Sequence, residues 1–238
     1  KKYNYLILRI PNVFGKWSKP NYNSVVATFC YNLSRQKKIF INNPNKVIKL
    51  IYIDDLVKAI SGGIFSKKNK YVQTFKNTYS IKLKKLYEIL AKFKNTRKNL
   101  HVDNLGNKLE KKLYTTYLSY IPLNDAARNM INHLDLRGSF QELVKLKKHG
   151  QVSSVIIKPK QERGKHFHFT KIERFFPIYG KGKFIMESIV NKKKKQIQFS
   201  SDKPKMIETI PGYAHKIVNN TNKDIIIIIW TNEIYNQN

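Results

Sequence analysis

The chain has 238 residues, 41% of them apolar, enough for one large domain or two small ones with a real core, which excludes disorder as the default. Lys and Arg number 46 against 15 Asp and Glu, and the resulting formal charge of +31 raises nucleic acid as a partner. Arg stands only at positions 9, 35, 97, 128, 137, 163 and 174, and Lys is spread along a chain also rich in Asn and Ile. The charge therefore reads as compositional drift, and a basic nucleic-acid-binding protein stays a minor alternative.

Residues 5–10 (YLILRI) form an apolar run stopped by Pro11 and read as a buried strand of a parallel sheet. Residues 22–35 read as a helix with Ser24 as a cap and Val25, Phe29 and Leu33 on one face. Cys30 within it is the lone cysteine, so there is no disulfide framework, and it is expected to pack as a small hydrophobe. A second strand over 46–53 leads into Asp54-Asp55, which suit a helix start better than catalysis. That helix is expected to end at Gly62-Gly63. A short strand at 71–80 follows, then an amphipathic helix over 83–94 with Leu86, Ile89, Leu90 and Phe93 inward, and another helix over 108–120. Alternating strands and helices predict an α/β region to about residue 121.

After a polar linker at 122–133 the pattern changes. Short strand-like segments at 139–146, 151–157, 174–178, 183–189, 196–199, 205–208, 214–218 and 225–230 are separated by turns such as Gly180-Lys181-Gly182 and Pro211-Gly212. They predict an all-β barrel or sandwich over 134–238. Residues 192–195 read as a solvated hairpin tip in preference to a phosphate contact. No run reaches a membrane span, the longest being 225–230, and no signal peptide is visible. The chain opens Lys1-Lys2 without Met, so a cytoplasmic protein whose beginning has been lost is expected.

Within 164–180 (GKHFHFTKIERFFPIYG), His166 and His168 alternate along what reads as a strand, which puts both on one face. Glu173 follows, and His215 comes from a distant segment after a Pro-Gly turn. Three imidazoles and a carboxylate suit Zn²⁺, Fe²⁺, Mn²⁺ or Ni²⁺, with Zn²⁺ the first choice. Glu173 and His168 are also the candidate catalytic groups should either not be a ligand. His101, His133 and His149 lack partners at useful spacing and read as surface or core residues. Tyr213 and Phe167 are core residues in preference to stacking platforms. Arg137 has two open readings, a bidentate clamp for a diphosphate or an ion pair with Glu142.

The two-part histidine pattern resembles the cupin family, a double-stranded β-helix barrel. RIPNVFGKW (9–17), KPNYNSVVATFC (19–30) and IYIDDLV (51–57) resemble the substrate-binding half of an extended short-chain dehydrogenase/reductase, which is Rossmann-like. DLRGSFQE (135–142) resembles the entry segment of sugar-nucleotide cupin epimerases. Together the halves are similar to the capsular polysaccharide family of UDP-2-acetamido-2,6-β-L-arabino-hexul-4-ose reductases. The resemblance implies a partial reductase region at 1–121, a linker at 122–133 and a cupin at 134–238. It implies C3 epimerisation of a UDP-linked 4-keto sugar by the cupin and NADPH-dependent reduction at C4 by the reductase part, in a homodimer. Asn12, Lys16, Trp17, Lys19, Asn21, Tyr22 and Arg137 then become substrate-binding residues. The Gly-rich dinucleotide motif of such reductases is absent. The one Tyr-x-x-x-Lys, Tyr179 to Lys183, passes through Gly180 and Gly182 and reads as a hairpin turn. An N-terminal truncation is thus expected, with no cofactor-binding residues in this chain. A cupin remnant that binds metal without turnover is the alternative.

Overall fold

The computed structural model describes residues 7–64, 72–73, 75–102 and 106–234. The chain divides into a first unit of Lys1–Lys98 with Asn104–Arg128 and a second of Asn99–Asp103 with Asn129–Asn238.

In the first unit, β1 (Ile7–Leu8) pairs in parallel with β4 (Val72–Gln73). β2 (Asn12–Phe14), β3 (Val47–Tyr52) and β5 (Thr78–Lys82) form a second small sheet, parallel between β2 and β3 and antiparallel between β3 and β5. The helix after Ser24 is α1 (Val25–Ser34), and the Ala27 amide donates to Ser24 Oγ at 3.3 Å, satisfying one of the free donors of the first turn. α2 (Ile53–Ile64) carries Asp54 and Asp55 in its first turn, where carboxylates complement the helix dipole. In α3 (Leu83–Asn99), Leu86, Leu90 and Phe93 recur at helical spacing and are buried. α4 (Lys108–Leu118) is capped by Asn107. Phe14, Leu50 and Ile81 from the sheet pack with Cys30, Leu86 and Leu113 into one core.

Three expectations change here. Tyr5, Leu6, Tyr71 and Thr74 lie outside the described residues, while Ile7 and Ile10 are 49% and 44% exposed instead of buried. The strand is cut to Ile7–Leu8, leaving Ile10 outside it, and it has only the two-residue β4 as a partner among the described residues. Gly62 and Gly63 do not stop α2, which runs on to Ile64. A 3₁₀ turn (Leu123–Asp125) interrupts the segment expected to be a plain linker.

The second unit is all β. Its strands are β6 (His133–Asp135), β7 (Gly138–Leu146), β8 (Gly150–Ile157), β9 (Glu162–His166), β10 (Glu173–Tyr179), β11 (Lys181–Ser188), β12 (Lys194–Ser200), β13 (Ile207–Glu208), β14 (Tyr213–Val218) and β15 (Ile225–Thr231). They form two antiparallel sheets, in the orders β13-β10-β15-β8-β7-β6 and β12-β11-β14-β9. From β8 onward the chain passes between the sheets at each step, apart from the β11–β12 hairpin, as a jelly roll does. Side chains alternate in and out with period two, and Ile157, Phe184, Phe199, Ile217, Ile225 and Ile227 fill the space between the sheets. Gly180, at φ +85°, turns β10 of one sheet into β11 of the other, so Tyr179 and Lys183 flank a crossover between the sheets and not the expected hairpin, and neither lies on a helix. One strand lies where none is expected, β6, whose first residue closes the expected linker; β9 is the strand expected through His166, and it stops there, short of His168.

Candidate metal centre

Inward-facing positions carry the site. On β10, Glu173 shares the buried register of Phe175 and Pro177; on β14, His215 shares that of Ile217. A carboxylate and an imidazole therefore stand where alternation would place core hydrophobes. Across β8, β15 and β10 the pairings Gln151↔Thr231 and Thr231↔Glu173 line up three buried polar residues in one row.

The neighbouring strand brings the second imidazole through a β-bulge. His215 pairs with His166 and Lys216 with Gly164, so Lys165 is an extra residue on β9. Gly164 has φ +102°, and a Cβ there would meet the His215 carbonyl oxygen at 2.7 Å, so only glycine lets the strands lie this close. His168 falls beyond the end of β9, which corrects the expectation that alternation along one strand aims both histidines. Its loop is pinned instead by the Gly212 amide, which donates to the His168 carbonyl at 3.3 Å.

The result is one cluster. Ligand atoms of His166, His168, Glu173 and His215 all lie within 4.8 Å of one another. Glu173 Oε2 is 3.0 Å from His215 Nε2 and 3.5 Å from His168 Nε2, yet Oε2 and His168 Nε2 are buried without a hydrogen-bond partner. Buried polar atoms left unpaired are costly, and here they converge on each other. Burial, then the neighbouring His215, pushes His166 down to about 4, so its imidazole is neutral at pH 7 with a lone pair to offer. Burial would raise Glu173, but His215 and the Lys171 ammonium, 3.0 Å from Oε1, outweigh it and bring the carboxyl to about 2. Burial also lowers His168. His215 is held by Phe184, stacked on it at 5.7 Å, and by the edge of Phe175. Three imidazoles and one carboxylate at these separations suit a divalent cation of the zinc type.

His166, Glu173 and His215 open onto a cavity of ≈ 700 Å³ within the second unit. Its wall also holds residues that sequence reasoning passed over: Lys171, Arg163, Glu142, Gln151 and His133. The legible signal was a polar residue at an inward strand position, as at Gln151 and Glu173. For His133 there was none, because β6 was read as linker.

Arg137 does not make the expected ion pair with Glu142. It forks onto Asp135 through Nη2 at 2.6 Å and Nε at 3.1 Å, while Glu142 pairs with Lys145 at 2.8 Å. A bulge between Glu142 and Val144 brings Glu142 and Lys145 to one face of β7. Asp135 also receives Arg163 Nη2 at 2.7 Å, and Arg137 first, with Arg163, lowers its carboxyl below the usual range.

Among the described residues, those of the first unit form no cation cluster. Asn12 donates to the Lys49 carbonyl at 3.0 Å and so serves its own strand pairing. Lys16 pairs with Asp54 at 3.2 Å and lies over the Trp17 ring, while Lys19 lies over Tyr22. Trp17 and Tyr22 are 86% and 72% exposed, and the Asn21 amide donates to Thr28 Oγ1 at 2.9 Å. Asp55 is taken by Lys112, which also donates to Tyr79 at 3.1 Å. Cys30 is fully buried, and burial raises its thiol. Tyr213 packs against the core as expected, but Phe167 is 43% exposed and leans on Phe169 instead. No helix among the described residues is long and apolar enough to cross a membrane.

Residues 133–238 match the family model for the polysaccharide biosynthesis C-terminal domain. Over 232 residues, 97% of this chain, the sequence is 38% identical to the UDP-2-acetamido-2,6-β-L-arabino-hexul-4-ose reductase of Pseudomonas aeruginosa, and it spans 62% of that relative's length. Among solved structures it is similar to CapF with the inhibitor 3-isopropenyl-tropolone, with a TM-score of 0.92 and 39% identity over 98% of this chain and 68% of that one. The capsular polysaccharide assembling protein CapF from Staphylococcus aureus gives the same TM-score of 0.92 and identity of 39%, over 98% of this chain and 63% of that one.

Proposed function

Because the chain belongs to the family of UDP-2-acetamido-2,6-β-L-arabino-hexul-4-ose reductases, we propose that it works in capsular polysaccharide biosynthesis as an enzyme on a UDP-linked 4-keto-6-deoxy-N-acetylhexosamine. In this reading the second unit, cupin-like in fold, inverts C3, and the first unit is the substrate-binding part of a reductase domain that acts at C4 with NADPH. The observation that carries the epimerase half is the convergence of buried, unpartnered Glu173 Oε2 and His168 Nε2 beside His215 Nε2 at the wall of a cavity.

His166, His168, Glu173 and His215 would hold a divalent cation, with Zn²⁺ the first choice. Such a cation supplies Lewis-acid stabilisation of the negative charge that develops when the proton beside a ketone is removed. The rest follows from the chain's own groups. A C3 hydrogen next to the C4 ketone is acidic because its electron pair can delocalise onto the carbonyl oxygen. Return of a proton to the opposite face of C3 completes the inversion. Lys171 neutralises one oxygen of Glu173 and keeps the carboxylate oriented. The cavity of ≈ 700 Å³ falls in the range of small-molecule sites.

Metal analysis of the purified chain, together with NMR of C3 deuterium uptake by the 4-keto UDP-sugar in D₂O, tests the reading. The expected result is about one cation per chain and C3 exchange that a chelator abolishes. A bound cation without exchange would leave a metal-binding remnant, and neither cation nor exchange would sink the epimerase reading outright.

A further inference from the structure

We propose that His133, on the edge strand β6, is the catalytic base that removes the C3 proton, an assignment that rests on the epimerase reading above. His166, Glu173 and His215 belong to the cation cluster, and Lys171 is tied to Glu173 at 3.0 Å. Glu142 and Lys145 neutralise each other at 2.8 Å, with side chains about a fifth exposed. Arg163 is tied to Asp135 at 2.7 Å, and a guanidinium does not give up its proton near neutral pH. His133 is the remaining titratable group on the wall, and among the described residues it has no ionic partner. Its ring contact is with Phe140 at 6.2 Å.

Geometry aims it. His133 and Asp135 are two apart on β6, so they project to the same side. Asp135 reaches Arg163, a wall residue on β9, which fixes that side as the cavity side. The strand is held from both sheets. It pairs with β7 through His133↔Phe140 and Asp135↔Gly138, and the Arg163–Asp135 ion pair ties it to the edge of the four-stranded sheet. Its turn is also built to last: the Arg137 amide donates to Asp135 Oδ1 at 2.9 Å, and Gly138 at φ +137° lies against the Ile156 carbonyl where a Cβ would collide at 2.0 Å. His133 is exposed to solvent, so its imidazole can discharge a proton to water after each cycle.

The step balances simply. An imidazole nitrogen takes the C3 hydrogen as a proton, and the C–H electron pair becomes the C3–C4 double bond as charge moves to the C4 oxygen. Water then protonates C3 from the other face, and His133 loses its proton to solvent. Proton removal and charge stabilisation thereby fall to different residues, which explains a fixed imidazole outside the cation cluster.

The test uses the full chain, wild type and His133→Ala, with the UDP-linked 4-keto-6-deoxy-N-acetylhexosamine in D₂O and cation content measured for each. His133→Ala is expected to keep its cation while the kcat for C3 exchange falls about 100-fold or more, the usual worth of a positioned base. Added imidazole should restore part of that rate, as it would not for a variant that misfolds. Exchange within threefold of wild type, or a rise in KM with kcat unchanged, would overturn the assignment while leaving the epimerase reading intact. Absence of exchange in the cation-loaded wild type would overturn both.

Discussion

The two ends of the β sandwich are made from the same strands under the same alternation, yet their inward rows have opposite chemistry. At one end Ile157 pairs with Ile225, both fully buried, and Phe184 and Phe199 pack against them. At the other end the corresponding row is Gln151, Thr231 and Glu173, faced by His215 and His166 from the second sheet. The difference teaches where stability and chemistry reside. The apolar end gains free energy by removing hydrocarbon from water, whereas the polar end leaves buried nitrogen and oxygen unpaired and gives up stability for a binding site.

If that division holds, damage to the apolar end should be the most costly and should spare the site. Ile225→Ala deletes a fully buried side chain between the sheets and is expected to destabilise the second unit by about 4 kcal/mol in urea unfolding. Cation bound per folded chain should not change. A variant that folds normally but loses its cation would show that the two ends are not separable.

The polar end should respond to ligand instead. Zn²⁺ held at about a hundredfold its Kd should raise the unfolding free energy by about 2.7 kcal/mol, because it binds the folded state. Glu173→Gln should remove most of that gain, since the carboxylate is the sole anion of the cluster. An undiminished gain in Glu173→Gln would place the ion elsewhere. Next in size is Gly164→Ala, where a methyl must fit 2.7 Å from the His215 carbonyl at φ +102°. A loss of about 2 kcal/mol is expected, together with weaker cation binding as His166 moves, read by urea unfolding and by competition with a chelator. Equal affinity in this variant would mean that the bulge does not aim His166.

Much of this was legible in the sequence, and the parts that were not have a common cause. Short apolar segments between turn signals at 183–189 and 225–230 locate β11 and β15 to within two residues, because hydrophobic burial is what drives those strands together. Glu173, His166, His168 and His215 were found by residue type and do converge. The reason given for His166 and His168 was incomplete, since a bulge at Lys165 and a loop after β9 do what simple alternation was asked to do. Strand β6 escapes the pattern because it is three residues long and exposed, and it forms only through the tight turn that pairs His133 with Phe140. Arg137 was paired with the wrong acid for the same reason: the turn that folds it back onto Asp135 needs Gly138 to pass under the Ile156 carbonyl, a contact invisible along the chain.

That turn also supplies the mildest way to sharpen the contrast, because its Asp135–Arg163 ion pair joins the edges of both sheets through partly exposed side chains. Asp135 is ionised more readily in the folded state, through Arg137 first and Arg163 with it, so its folded pKa lies below the unfolded one. A depressed carboxylate contributes stability that is present above the unfolded pKa and is lost as pH falls through the folded value. Below about pH 4 the wild type should therefore lose a small increment of stability that Asp135→Asn never had, so the two stability curves should converge as acid is added. The gap at neutral pH should be only about 0.5 kcal/mol, because Asp135 and Arg137 are both more than a third exposed and water screens them. A gap that stays constant down to acid pH would mean that the asparagine acts through the turn and not through charge. A gap that widens would reverse the sign argued here, and the latch between β6 and β9 would then owe nothing to the ion pair.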